Sequence, residues 1–368
     1  MRAAPRGTLH FGRTWDTVDP MADWVVPAYS RRKVNAAGAM LVGTDVAAEE
    51  MDDALRVINN WRSSHAFPLN TLQIGLKERA QRVDADALIA QRIKRLSSIK
   101  AKLERFRSMD LARMQDIGGC RAVVHSVRAV DNLAILHKSS HMKHRLAGEK
   151  DYIRQPEESG YRGVHLVYAY NGRKSTYNDL RIEVQIRSQL QHAWATAVET
   201  VGTLTRQALK SSQGSDDWLR FFALMGSALA EREGTSPVPN TPTGKKLVAE
   251  LKAAAASLNV EPRLRAYGAS LRAIDMPALK GHYYFLMRLV PSQSTIHVTG
   301  YRQQDLTQAS EAYLKAELEI QQDPGAEAVL VSVASLAALR RAYPNYFLDT
   351  NKFLTAMRTA IGEKSALN

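Results

Sequence analysis

Along residues 180–186 (LRIEVQI) the chain alternates cleanly. Leu180, Ile182, Val184 and Ile186 fall on one face, and Arg181, Glu183, Gln185 and then Arg187 on the other, which predicts a half-buried strand. IGGCRAVVHSV (117–127) and HLVYAY (165–170) predict two further strands, with a turn over 172–179 between HLVYAY and LRIEVQI. Helical spacing runs over 47–61, over 70–107 with at most one interruption, over 128–146 and over 188–204. The acidic start of 47–61 suits a helix dipole. Breaker-rich stretches at 211–217 and 234–244 then flank an apolar helix at 218–233. Beyond them the pattern reads helix (245–258), strand (283–290), strand (294–300), helix (305–320), strand (327–333), helix (335–343) and helix (349–361). The prediction is an α+β protein. A first domain spans 1–210, a linker with its own helix spans 211–245, and a smaller α+β domain spans 246–368.

Composition narrows this little. A chain of 368 residues with 45% hydrophobic and 24% charged positions is ordinary for a globular protein of two domains. The formal charge of +13 favours polyanionic partners. One cysteine, Cys120, excludes an internal disulfide framework and a Cys-rich zinc site, and it fits a reducing cytoplasm. No stretch has the length and apolarity of a signal peptide or a membrane span.

Several segments carry candidate chemistry. Asp116 in DIGGCR and Glu183 in RIEVQIR are carboxylates borne by separated strands, a pair suited to Mg²⁺. The run 91–107 holds seven Arg or Lys against one Glu. If it is helical, Lys94, Ser98 and Lys102 form one stripe with Arg92 near its end, able to grip several phosphate oxygens. GYRGVH (160–165) brackets Tyr161 with glycines, a platform on which a base can stack. Each motif alone also reads as a solvated face, a turn or a packed aromatic.

Arg92-x-Lys94-x-x-x-Ser98-x-x-x-Lys102, Asp116-x-x-Gly119-x-Arg121, GYRGVH, Glu183-Val-Gln185-Ile-Arg187 and His192-Ala-Trp194 follow in that order. Together, over about residues 47–205, they resemble the synthetase domain of the RelA/SpoT family. The resemblance implies a nucleotidyltransferase-like fold, a mixed sheet flanked by helices, that moves pyrophosphate from ATP to a ribose hydroxyl. By position, Arg92, Lys94, Ser98 and Lys102 would hold the ATP phosphates, with Arg121 near ATP. Asp116 and Glu183 would bind Mg²⁺, and Glu183 would also take the hydroxyl proton. Tyr161 would stack on the acceptor base, with His165, Gln185 and Arg187 in the acceptor pocket. The sequence departs from the family in having Gly163 where Ser is frequent, and no His-Asp pair of the alarmone-hydrolase half precedes the motifs.

The second unit ends in RRAYPNYFLDTNKF (340–353). Its Tyr343 and Tyr346 resemble the YxxY segment of CapRel-type fused toxin–antitoxin proteins. In that group a C-terminal domain, similar to a zinc finger without its cysteines, blocks ATP binding. This resemblance implies an autoinhibited, ATP-dependent tRNA pyrophosphokinase that modifies the tRNA 3′ end and stops translation. It further implies antiphage defence and release by a phage protein, often capsid. The positive charge suits a tRNA acceptor, with Arg31, Arg32, Lys33 and the 137–145 cluster as candidates for gripping it. The alternative is a small alarmone synthetase making (p)ppGpp from ATP and GDP or GTP.

Overall fold

In the computed structural model the described residues are 24–205, 216–258, 260–261, 264, 281–290, 295–320, 327–332 and 351–362. Tyr343, Tyr346 and the helix expected at 335–343 lie outside them. In chain order the elements are α1 (Arg31–Leu41), α2 (Ala48–Ser64), α3 (Ala66–Val83), β1 (Leu88–Ile93), α4 (Leu96–Arg105), β2 (Gly118–Val124), α5 (Val127–Lys138), β3 (Arg145–Asp151), β4 (Val164–Ala169), β5 (Arg181–Ser188) and α6 (Gln189–Thr205). Then come α7 (Asp216–Glu233), α8 (Gly244–Ser257), β6 (Tyr284–Val290), β7 (Thr295–Tyr301), α9 (Leu306–Glu319), β8 (Glu327–Ser332) and α10 (Asn351–Ala360).

The strands form one mixed sheet in the order β3-β4-β5-β2-β1-β8-β6-β7. β2 and β5 run parallel, and the other pairs are antiparallel. The alternation read in 180–186 sets the two faces of β5. Ile182, Val184 and Ile186 are fully buried with Cys120, Ala122, Leu166 and Tyr168 under α3 and α5. Their burial supplies the main apolar drive for the central strands. Gly118 lets β2 approach β5, because a Cβ there would lie 2.7 Å from Ile182 Cδ1.

The run 91–107 is not one helix. Arg92 lies on β1, Lys94 in the connection, and only Ser98 and Lys102 on α4. β1 is held in register by β2, from Leu88↔Val123 to Ile93↔Gly118, so long-range pairing overrides the local helical spacing. β3 is a strand that helical spacing over 128–146 hides. It is a charged edge strand (RLAGEKD) with little intrinsic strand preference. α5 ends at Lys138, and α1 stands where no periodicity was apparent, started by the Ser30 side chain accepting from Lys33 N.

A second core joins α6, α7, α8 and α10, with Trp194, Trp218, Phe221, Phe222, Leu251 and Phe353 buried together. The helix at 218–233 therefore packs on α6. The strand part of the C-terminal segment meets the rest of the chain at β1, through Gln91↔Ser332 and Arg92↔Val331. Beneath that junction, buried Glu317 of α9 pairs with buried Arg62 of α2 at 2.8 Å. Glu317 Oε1 accepts from Leu96 N, the first residue of α4, at 2.8 Å, and from the Tyr313 hydroxyl at 2.6 Å. Arg62 also donates to the Tyr313 hydroxyl and, at 3.0 Å, to the Lys94 carbonyl.

Two buried histidines set an acid limit. Burial holds both His65 and His137 down at about 4, with a counteracting hydrogen bond to the Trp61 carbonyl on His65 and repulsion from Arg79 and His144 on His137. The unfolded chain takes up these protons near pH 6.5, and the folded chain only near 4. Stability is thus intact above pH 6.5 and falls as pH drops from there to 4, by roughly 3 kcal/mol per histidine. Urea titrations of the His137→Gln chain at pH 7 and pH 5 should show a smaller acid loss than the unaltered chain, provided it folds.

Candidate active site

The polar face of the sheet carries the site, and strand register places its residues in rows. One row runs Val167, Glu183, Gly119, Arg92 across β4, β5, β2 and β1. The next runs Lys150, His165, Gln185, Arg121 from β3 to β2. Directly opposed residues share a face, so motifs far apart in sequence meet here.

At one end, Asp116 just before β2 accepts from Lys94 Nζ at Oδ2 and from Lys102 Nζ at Oδ1, both at 2.9 Å. Burial pushes its carboxyl up, but the two ammonium groups outweigh this and hold it far below the usual carboxylate range. Burial draws Lys94 down against the pull of Asp116, and Arg92 and Lys102 draw it further. Two ammonium groups facing one carboxylate leave a positive excess, as a polyphosphate site requires. Ser98 receives the Arg95 Nε hydrogen bond at 3.3 Å.

At the other end, Glu183 Oε1 lies 2.9 Å from His165 Nδ1, and Oε2 accepts from Gln185 Nε2 at 2.6 Å. The Tyr161 hydroxyl lies 2.6 Å from His165 Nε2 and 2.5 Å from Arg187 Nη2. Gln185 Oε1 accepts from Arg187 at 2.9 Å and from Arg121 Nε at 3.3 Å. Burial lowers His165, yet Tyr161 and Glu183 together raise it to about 9, so it carries a proton at neutral pH. That imidazolium holds Glu183 ionised against its own burial. The Arg187 guanidinium lies 4.8 Å from the Tyr161 ring centroid. A base stacking on Tyr161 therefore has to use the opposite ring face.

The structure thus draws Lys94, Lys102 and Asp116 into one cluster and Arg121, Tyr161, His165, Glu183, Gln185 and Arg187 into another, with Arg92 in the row of Glu183. His137 does not join the surface cluster expected at 137–145, because α5 turns it into the core against Tyr168. Two of the other basic positions, Arg31 and Arg145, do meet. Arg31 donates to the Asp179 carbonyl at 3.2 Å, and Arg145 lies 3.9 Å from the Asp179 carboxylate.

Sequence reasoning passed over two contributors to the site and gave no role to a third, the glycine of the Asp116 motif. Arg62 braces the Lys94 carbonyl, Arg162 is buried behind Tyr161, and Gly119 forms the floor between Arg92 and Glu183. The GYRG pattern flagged the segment of Arg162, but nothing local marked Arg62. A Cβ at Gly119 meets nothing closer than the Glu183 carbonyl at 3.8 Å. Gly119→Leu should therefore fold, yet fill the floor; we expect a loss of nucleotide binding of at least about 100-fold by calorimetry, with a near-normal melting temperature.

A divalent cation fits this donor set. Mg²⁺ takes one or two carboxylates and completes its octahedron with water and substrate phosphate. Asp116 and Glu183 are such a pair, close enough that the charge of Asp116 is felt at Glu183. Among the described residues no group of three or more His, Cys, Asp or Glu could form an all-protein cage. Among them too, no helix is long and apolar enough to cross a membrane.

Comparison with known proteins agrees with the motif positions. Residues 91–201 match the family described as the region found in RelA / SpoT proteins. The GTP pyrophosphokinase YjbM of Bacillus subtilis (strain 168) is 31% identical over 114 residues, 29% of this chain. The chain spans about half, 52%, of that relative's length. Among solved structures, small alarmone synthetase 1 of Bacillus subtilis bound to its product pppGpp is similar at 22% identity and TM-score 0.39, covering 46% of this chain and 91% of its own. A GTP pyrophosphokinase family protein of Streptococcus pneumoniae is similar at 27% identity and TM-score 0.38, covering 46% and 87%. Asp116, Tyr161, His165, Glu183, Gln185 and Arg187 all lie within the segment, residues 91–201, that matches the region found in RelA / SpoT proteins.

Proposed function

We propose that this chain transfers pyrophosphate from ATP to a ribose hydroxyl. The observation that carries the reading is the pair of carboxylates on one sheet face, Asp116 between two lysines and Glu183 against His165. In this reading Lys94 and Lys102 exchange Asp116 for ATP phosphates, with Arg92 beside them. Asp116 and Glu183 would hold Mg²⁺, which supplies charge neutralisation at the phosphates. Glu183 accepts the proton of the attacking hydroxyl, the hydroxyl oxygen bonds to the β-phosphorus, and AMP leaves. Tyr161, His165, Gln185 and Arg187 hold the acceptor.

For the acceptor we favour the 3′ end of tRNA. Exposed Arg31 and Arg145 meet at Asp179, two residues before the strand that bears Glu183, and exposed basic side chains there suit a long polyanion. A free guanosine nucleotide is the second reading, favoured by similarity to a GTP pyrophosphokinase.

The same proposal includes self-inhibition. The contacts of β8 with Arg92 and of Glu317 with the first turn of α4 support it, since a carboxylate on a helix N-terminus competes with phosphate. Tyr343 and Tyr346 are proposed to add to that block, and a phage protein that binds the C-terminal segment is proposed to lift it. The test is to incubate the purified chain with γ-labelled ATP, Mg²⁺ and either deacylated tRNA, GDP or GTP. Label on tRNA supports the first reading, and label on a guanosine nucleotide the second. No transfer from the full chain or from its Glu317→Ala variant would reject both.

A further inference from the structure

Buried Arg162 and half-buried Glu233 lie behind the acceptor side, and neither belongs to the catalytic groups described above. Arg162 is 2% exposed. Its Nη1 donates to the Ile153 carbonyl at 3.2 Å and to Thr235 Oγ1 at 3.1 Å, and its Nη2 donates to the Ser236 carbonyl. Burial lowers it to about 10 against the attraction of Glu233. Glu233 is the last residue of α7. Its Oε1 accepts from Ser188 Oγ and its Oε2 from Gln191 Nε2 at 3.0 Å.

Ser188 and Gln191 are themselves a reciprocal cap on α6. Ser188 N donates to Gln191 Oε1, and Gln191 N to Ser188 Oγ, each at 3.1 Å. The chain leaves α7 through a tight stop. Thr235 N donates to the Ala230 carbonyl and Gly234 N to the Glu231 carbonyl, with Gly234 at φ +64. This geometry presents the Glu233 carboxylate, the Thr235 hydroxyl and the Ser236 carbonyl together. α7 also presses on the same loop from behind. A Cβ at Gly226 would lie 2.9 Å from Gly160 Cα, and one at Gly160 would lie 2.8 Å from the Phe222 carbonyl.

One tetrapeptide, 233–236, therefore grips two walls. It holds the loop that carries Tyr161 through Arg162. It holds the end of the strand that carries Arg187 through Ser188. The walls touch where Arg187 meets the Tyr161 hydroxyl at 2.5 Å. We infer that residues 233–236 clamp the acceptor side of the site, with Arg162 and Glu233 as positioning residues that keep Tyr161 and Arg187 in contact. The inference rests on the acceptor reading of Tyr161 and Arg187. The Lys94–Lys102–Asp116 cluster has its own bracing through Arg62, so the clamp acts on the acceptor and leaves ATP untouched.

The test uses the full chain with Arg162→Met, Thr235→Val and Glu233→Gln. The last two are mild enough to carry the test if Arg162→Met does not fold. Two readouts are taken. The first is amide hydrogen exchange over 160–165 and 186–192 against 96–105. The second is the KM for ATP and the KM for whichever of deacylated tRNA or GDP the unaltered chain modifies. A clamp predicts about tenfold faster exchange in the first two segments only. It also predicts an acceptor KM raised about tenfold in Arg162→Met and about threefold in Thr235→Val, with the KM for ATP unchanged and partial recovery in Arg162→Lys. Unchanged exchange at 160–165 in folded variants, or acceptor and ATP KM rising together, would overturn it. If neither the unaltered chain nor its Glu317→Ala variant modifies either acceptor, the proposed function fails while exchange still decides whether the clamp exists.

Discussion

Glu183→Gln is expected to remove pyrophosphate transfer by a factor on the order of 10³ in kcat while leaving the fold intact. The side chain is almost isosteric, and an amide oxygen still accepts from His165 Nδ1. The Gln185 amide, now 2.6 Å from Oε2, meets the new NH₂ group only by turning its oxygen away from Arg187 and Arg121, a local cost that lowers the melting temperature by a few degrees without unfolding the chain. What disappears is the negative charge that accepts a proton and faces the cation. His165 then loses one of the two partners that raise it to about 9, so its titration, followed by NMR, should move down in the variant. The checks are initial rates with labelled ATP and a melting curve. Loss of activity together with a drop of ten degrees or more would make Glu183 a structural residue and remove the central support of the proposed chemistry.

The second large effect is expected at Glu317. Glu317→Ala strands Arg62 in the core without its carboxylate and strips the acceptor from Leu96 N. Removing one partner of a buried ion pair costs about 3–5 kcal/mol. The loss should fall on the junction, where β8 meets β1 through two register pairs among the described residues. Hydrogen exchange should rise at 91–92 and 327–332, with β2 and β5 unaffected. If the C-terminal segment restrains the site, the variant should also transfer at least about tenfold faster than the unaltered chain. A variant that opens at the junction and transfers no faster would end the self-inhibition reading. The double change Arg62→Met with Glu317→Met separates charge from docking. It should regain most of the stability, since apolar side chains of similar volume can replace a buried pair.

The strands of the site were legible because their pattern is local. LRIEVQI alternates at the strand period, and its even positions are the buried ones. HLVYAY and GGCRAVV read correctly for the same reason: each buries one face under α3 and α5. The run at 91–107 misled because Arg, Lys and Ser at fourfold spacing fit a helix equally well. Only pairing with β2 makes 88–93 a strand and breaks the stripe between Lys94 and Ser98. β3 was invisible because a charged edge strand has no apolar alternation to show. The stretch after α7 looked like loose chain by its Gly and Pro. Its polar groups are satisfied by Arg162, 74 residues away in the case of Ser236.

The sequence by itself determined which residue types reach the site, since five short motifs in order carry the carboxylates, the lysines, the tyrosine and the histidine, and strand alternation puts Glu183, Gln185 and Arg187 on one face. Tertiary structure alone decided how they meet. Register across β4, β5, β2 and β1 aligns Glu183 with Gly119 and Arg92, Arg62 finds Glu317 across 255 residues, and Arg162 finds Thr235 across 73. The physical reason is range. Hydrophobic periodicity is set by neighbours a few positions away, whereas a buried charge is stabilised only by a partner whose position depends on the whole fold.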